Sequence, residues 1–305
     1  MKKTFKLNNF SIGQFNSDIN NSHDPDEKHN RWAAYRSEIG RLLCGAWQSS
    51  VVLGAGALND IDMHLLCRAS EHVVLADIDA ESVQKGLIRQ KLSHKEAMKT
   101  EIVRCDFSGA QSAKLFERLE AAVKSNASAE EFAGALSTIL LEMKPDQLLS
   151  GFSFDLVLSC PVYTQLVYTQ IEVLLKILYA SEQYSYDELH RILLAAHSSM
   201  KCVLRGYNKL MLSLLSPGGR LIVLSDIMEL PSKDPRLQIL AEQNKKGCIN
   251  ARLLQSLIEE QGNELAINAL EEIESELESP EIRYFIWPFD DEKSFLVKGL
   301  SGRGR

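Results

Sequence analysis

The residues best suited to chemistry are two glycines and an aspartate. Val51-Val52-Leu53-Gly54-Ala55-Gly56 is a short apolar, β-branched run that breaks into glycines one residue apart. Glycine turns sharply and lacks the Cβ that would hold a ligand off, so a strand ending in Gly54-Ala55-Gly56 offers bare backbone to a bulky charged group. A second apolar run, His72 to Ala76, ends in Asp77. An acidic side chain there can accept hydrogen bonds from two ribose hydroxyls. The pair predicts a nucleoside-containing cofactor.

Other reactive residue types form no comparable pattern. The six cysteines, Cys44, Cys67, Cys105, Cys160, Cys202 and Cys248, are scattered with no C-x-x-C. Neither a zinc site nor a disulfide framework is expected, no metal is assigned, and a reduced cytoplasmic setting fits best. The string His23-Asp24-Pro25-Asp26-Glu27-Lys28-His29 holds possible ligands. It reads better as a helix start, with Asp24 as N-cap and Pro25 in the first turn. Cys160 has no histidine that the sequence can assign to it, so an inert buried thiol is expected.

The elements that must position these residues alternate. A helical pattern over 25–47 places Trp32, Tyr35, Ile39, Leu42, Leu43 and Ala46 on one face. For Trp32 and Tyr35, packing on the sheet is preferred over covering a substrate. Strands follow at 50–54, 72–76 and 101–105, with helices around 59–69 and from Asp79 to about Leu92. Asp79 is a suitable N-cap. Residues 108–150 carry two helical patterns joined by Ser125-Asn126-Ala127-Ser128 and read as a helical insertion. A fourth strand, Phe154 to Leu158, ends at Ser159-Cys160-Pro161. Helices at about 162–181 and 185–215 lead to a turn, Leu215-Ser216-Pro217-Gly218-Gly219, and a fifth strand, Arg220 to Leu224. One long helix is expected over 249–277, then a hairpin of Arg283 to Trp287 and Ser294 to Lys298. The alternation predicts an α/β, doubly wound, mostly parallel seven-stranded sheet with a C-terminal antiparallel hairpin and right-handed crossovers. Two units are expected: an N-terminal helical arm or lid over 1–48, and a cofactor-binding domain over 49–305 that carries the insertion.

A dinucleotide site calls for a third glycine where this chain has Asn59. The order of features resembles instead the class I S-adenosylmethionine (SAM)-dependent methyltransferases: strand with Gly-x-Gly, strand with terminal Asp77, strand with terminal Asp106, Phe-Asp-Leu-Val-Leu-Ser, then Pro-Gly-Gly before a fifth strand and a closing hairpin. The similarity covers about residues 50–228 and 282–299. It implies that Gly54, Ala55 and Gly56 pass under the methionyl part of SAM, and that Asp77 takes the ribose hydroxyls while Ile78 packs on adenine. Asp106 would accept from the adenine N6 amine, the Phe107 N–H would meet a ring nitrogen, and Ser159 and Cys160 would face the sulfonium. The chain departs from the family pattern at Val52, where many members are acidic, and at Leu58, where many have a third glycine. Asn59 or Asp60 could compensate by binding the methionine ammonium, or could cap the next helix.

The family's amino-methylating members often carry Asn/Asp-Pro-Pro-Tyr/Phe after the fourth strand; Ser159-Cys160-Pro161-Val162 is not that motif. Tyr163 and Gln165 are the candidates for orienting the acceptor. The resemblance implies methyl transfer to a small-molecule or peptide-like acceptor, with S-adenosylhomocysteine (SAH) as product. Two other readings stay open. An NAD(P)-dependent oxidoreductase would explain the glycines and Asp77 but not Asp106 or the Pro-Gly-Gly turn. A non-catalytic SAM-binding module would explain the altered glycine motif.

Totals narrow the partners. A formal net charge of −7 across 305 residues, with no lysine/arginine stripe, argues against nucleic acid. Hydrophobic and charged contents of 45% and 25% are ordinary for a globular protein. No apolar run is long enough to span a membrane, and no apolar segment follows Lys2 and Lys3 to make a signal peptide. The basic tail, Gly302 to Arg305, reads as a frayed end.

Overall fold

The structure, a computed structural model, describes residues 25–245 and 249–305. The polar arm, the Asp24 cap and Cys248 lie outside the described residues. Helices α1 (Pro25–Arg31) and α2 (Ala33–Leu42) precede β1 (Trp47–Leu53), α3 (Met63–Ala69), β2 (Ser70–Asp77), α4 (Ala80–Gln90), a short α5 (His94–Ala97) and β3 (Thr100–Arg104). The insertion supplies α6 (Leu115–Lys124) and α7 (Ala129–Glu142) before β4 (Phe154–Ser159). Then come α8 (Tyr163–Leu166), α9 (Tyr168–Ala180), α10 (Tyr186–Ser213), β5 (Leu215–Pro231), α11 (Pro235–Lys245), α12 (Ala251–Gln261), α13 (Glu264–Glu274), β6 (Leu277–Trp287) and β7 (Lys293–Gly304).

The seven strands form one sheet in the order β3-β2-β1-β4-β5-β7-β6. β1 to β5 run parallel, while β7 is antiparallel to both β5 and β6. This is the doubly wound sheet with a closing hairpin that the alternation predicts. Successive strand residues sort to opposite faces, as the two-residue period requires. Val51, Leu53, Val74, Ala76, Val157, Leu221 and Val223 join one apolar cluster with the insertion helices, α9 and α10. Val52, Val73, Leu75, Leu156, Leu158, Ile222 and Leu224 join the other, with α2, α3 and α4. Burial on both faces explains why these strands read as continuous apolar runs.

Several boundaries differ from expectation, each for a local reason. The helix expected over 162–181 is broken at Val167, which leaves helical geometry at φ −143°. The long helix expected over 249–277 is two, because Asn263 starts α13 by accepting from the Ala266 N–H. The break is stitched to the sheet: the Asn263 N–H donates to the Ile227 carbonyl at 2.7 Å. The Pro-Gly-Gly turn lies inside β5, where Gly218 at φ +76° makes a bulge and pairing with β4 resumes at Arg220. Asp155 anchors that bulge and the start of β1 together, accepting from the Gln48 and Ser49 N–H groups and from the Ser216 hydroxyl. Residues 302–304 are not frayed. Gly302 pairs with Leu221 and Gly304 with Leu277, inside β7.

Among the described residues, no helix is long and apolar enough to cross a membrane, and no group of three or more His, Cys, Asp or Glu is placed to hold a metal.

Candidate functional site

Between β1 and β4 the strand order reverses, so the chain leaving β1 and the chain leaving β4 diverge and open a crevice at their carboxyl ends. The cleft of this protein lies there. Its floor is Gly54 to Ala57, one end is Asp77, Ile78 and Phe107, and the other end is Lys28, Trp32, Trp287 and Phe289.

The glycine loop is built by local demands. Gly54 sits at φ +73° and Gly56 at φ +50°, the left-handed region that favours glycine. A Cβ on Gly54 would lie 2.1 Å from Val162 Cγ1, so the missing side chain lets the segment after β4 close over the loop. Asp77 holds the loop from below: its carboxylate accepts from the Gly56 N–H and from the Asp79 N–H, both at 2.8 Å. Leu58 also adopts φ +56° although it is not glycine, and its side chain is fully buried. The sequence departs from the family pattern here, but the backbone keeps the conformation that glycine would favour.

Three supports were not visible in the sequence. Gly86 in α4 lies so close to the loop that a Cβ would come within 2.4 Å of the Ala57 carbonyl oxygen. Arg89 donates to the Asn59 side chain at 2.8 Å, and Arg36 to the Asn59 carbonyl at 2.6 Å. Asn59 is therefore spent on Arg89, and the cap of α3 is neither Asn59 nor Asp60. Asp62 caps it, accepting from the Leu65 N–H at 3.0 Å.

Asp60 is buried in the cleft wall, and burial pushes its carboxyl up to about 6, against the pull of Cys160 and Arg36. Asp77 is raised too, first by burial and against its backbone donors. Cys160 also lines the cleft. Burial, and then the charges of Asp60 and Asp77, hold its thiol well above the ordinary range, so it stays protonated rather than nucleophilic. Lys28 is 4% exposed, with its ammonium 6.0 Å from the Trp32 ring and 5.9 Å from Phe289. Burial lowers its pKa, and Asp290 opposes that shift.

Three expected roles meet a different geometry. Asp106 lines the cleft, but its carboxylate accepts from the Ser108 N–H, the Ser108 hydroxyl, the Gly109 N–H and the Gln111 N–H. Three of the four donors crowd its Oδ1, and the Gln111 N–H takes Oδ2. Its side chain shapes its own loop, leaving the neighbouring Phe107 N–H without an acceptor among the described residues. Ser159 points away from the cleft floor, its hydroxyl 2.9 Å from that of Tyr207 in α10. Tyr163 is buried, donating to the Asn208 side chain, whose amide in turn donates to the Ala269 carbonyl. It joins α8 to α10 and α13 rather than reaching an acceptor. Gln165 lines the cleft, with its amide donating to the Pro161 carbonyl at 3.2 Å.

Residues 25–42 cover one end. Trp32 packs edge-on against Trp287 at 4.9 Å, Tyr35 stacks on Trp287 at 5.6 Å, and Arg31 pairs with Asp291 at 2.7 Å. Trp32 thus both packs and lines the cleft. The insertion contributes no more than Ser108 to the walls; α6 packs on α7, and α7 against α10. A further acid, Asp226, where the pairing of β5 with β7 shifts register, is buried beside Thr164, whose hydroxyl donates to it at 2.9 Å; burial pushes it up to about 7.

No protein-family model matches the chain, and no curated protein does. Solved structures do resemble it. The N-methyltransferase NodS from Bradyrhizobium japonicum WM9, in complex with S-adenosyl-l-homocysteine, is 13% identical at a TM-score of 0.45, with 96% of this chain and 98% of that one covered. An O-methyltransferase family protein from Burkholderia thailandensis is 10% identical at 0.37, covering 93% and 61%. An rRNA methylase from Streptococcus thermophilus is 10% identical at 0.35, covering 90% and 97%. Likeness at this level fixes neither a cofactor nor an acceptor for this chain.

Proposed function

We propose that the chain is a class I SAM-dependent methyltransferase acting on a small-molecule or peptide-like acceptor. One observation carries the reading: the glycine loop, tied to Asp77, floors a cleft at the point where the strand order reverses. SAM would suit the residues present. Asp77 accepts from the Gly56 N–H on one carboxylate oxygen and from the Asp79 N–H on the other, and its remaining lone pairs would meet ribose hydroxyls. Ile78 gives adenine an apolar face, the Phe107 N–H is available to a ring nitrogen, and Asp60 stands where an ammonium would offset its buried charge.

SAM supplies an electrophilic methyl group with a good leaving group already attached. The protein's part is alignment and exclusion of water. Val162 and Cys160 would wall the reacting centre, Gln165 would orient the acceptor, and the segment 25–42 would act as the lid that keeps water out. The acidic net charge supports a small or peptide-like acceptor over a nucleic acid.

Calorimetric titration with SAH tests the cofactor, with a single saturable site as the expected result. No binding at millimolar SAH, with NAD bound instead, would overturn it in favour of an oxidoreductase. A screen of acceptors with methyl-labelled SAM tests the chemistry. SAH binding with no turnover on any acceptor would leave a binding module.

A further inference from the structure

One buried polar side chain in the cleft wall carries an acceptor with nothing to accept from. Gln170, in α9, is 1% exposed and lines the cleft. Its Nε2 donates to the Gln165 carbonyl at 2.8 Å, while its Oε1 has no hydrogen-bond partner. The amide cannot turn over to relieve this, because its oxygen would then face the Gln165 carbonyl oxygen. A buried acceptor left unpaired is costly, and a ligand that donates to it recovers that cost on binding.

The position of Gln170 says which part of a ligand it meets. Its neighbours Leu166, Val167 and Ile171 belong to the same apolar cluster as Ile78 and Phe107. Trp32 and Trp287 belong to the cluster on the opposite face of the sheet. The residues flanking Gln170 thus pack on the sheet face that Ile78 and Phe107 share, opposite the face of Trp32 and Trp287. The Asp106 carboxylate already takes four donors from its own loop, three on Oδ1 and one on Oδ2.

We propose that Gln170 Oε1, and not the Asp106 carboxylate, receives the exocyclic N6 amine of the cofactor's adenine. The proposal rests on the SAM reading and adds a residue that selects for adenine. Oε1 takes one amine hydrogen while the Phe107 N–H donates to the ring nitrogen beside it, so a donor and an acceptor on the base are read together. A base with oxygen at that position would set two acceptors against each other and be rejected.

The test compares SAH with its 6-deamino analogue, in which hydrogen replaces the amine and the ring nitrogens are kept. Binding is measured calorimetrically on the whole chain, so no turnover is needed. Wild type is expected to bind SAH about tenfold or more tighter than the analogue. In Gln170→Met, SAH weakens until the two ligands bind alike, while the analogue holds its affinity. Equal binding of both ligands by wild type overturns the proposal even if no variant folds. So does a Gln170→Met protein that keeps the full preference. If wild type binds neither ligand, the SAM reading itself fails, which is a different result from SAH binding without discrimination.

Discussion

At the scale of single residues, the glycine loop is where small changes act most sharply. Gly54→Ala meets both a left-handed φ and the Val162 side chain. It should cost about 2 kcal/mol or more of stability, read by urea denaturation, and abolish SAH binding. Adding Val162→Ala should recover only the steric part. Asp77→Ala should weaken SAH by roughly 1.5–3 kcal/mol, the scale of hydrogen bonds to a charged group, and an unchanged Kd would show that the ribose lies elsewhere. The glycines and Asp77 were legible because glycine and a strand-terminal acid leave few alternatives. Asp106 and Ser159 were less so. Whether an acid faces a ligand or closes its own loop depends on where three or four following N–H groups point, and residue type does not encode that. Leu58 lies between these cases: its departure from the pattern is visible in the sequence, but its retention of φ +56° is not.

At the scale of elements, the parallel core was readable from short continuous apolar runs, because β1, β2 and β4 are buried on both faces. The breaks at Val167 and Asn263 were not. Both depend on tertiary partners, the second on a hydrogen bond to Ile227 that no local pattern announces. The cap formed by α1 and α2 carries its own prediction. Trp32 is 7% exposed and packs on Trp287 and Phe289. Trp32→Ala should detach this end of the cleft, raising hydrogen exchange across residues 25–42 and speeding SAH release by about tenfold; exchange unchanged from wild type would show that the helices are held by Tyr35 and Arg31 without it.

At the scale of the whole molecule, two buried acids give stability a definite pH dependence. A carboxyl whose folded pKa is raised binds more protons folded than unfolded. It favours the folded state below 3.8 and withdraws that favour as pH climbs through about 6 for Asp60 and about 7 for Asp226. Asp226→Asn should therefore stabilise the protein by roughly 2–4 kcal/mol at pH 8, where the buried carboxylate would otherwise be charged, with the gain vanishing near pH 4. Parallel urea titrations at the two pH values check both sign and size. The interposition of β7 between β5 and β6 has a consequence in time. Arg31 must find Asp291, 260 residues away, and the wall of Trp287 and Phe289 exists only once the hairpin is seated. Such distant contacts carry a large loop-closure cost, so they form late. The loops after β1 and β2 can take shape from neighbouring strands early, whereas closure of the cleft is expected among the final events of folding. A chain paused before residue 277 would expose its unfinished β5 edge to chaperones and to other chains.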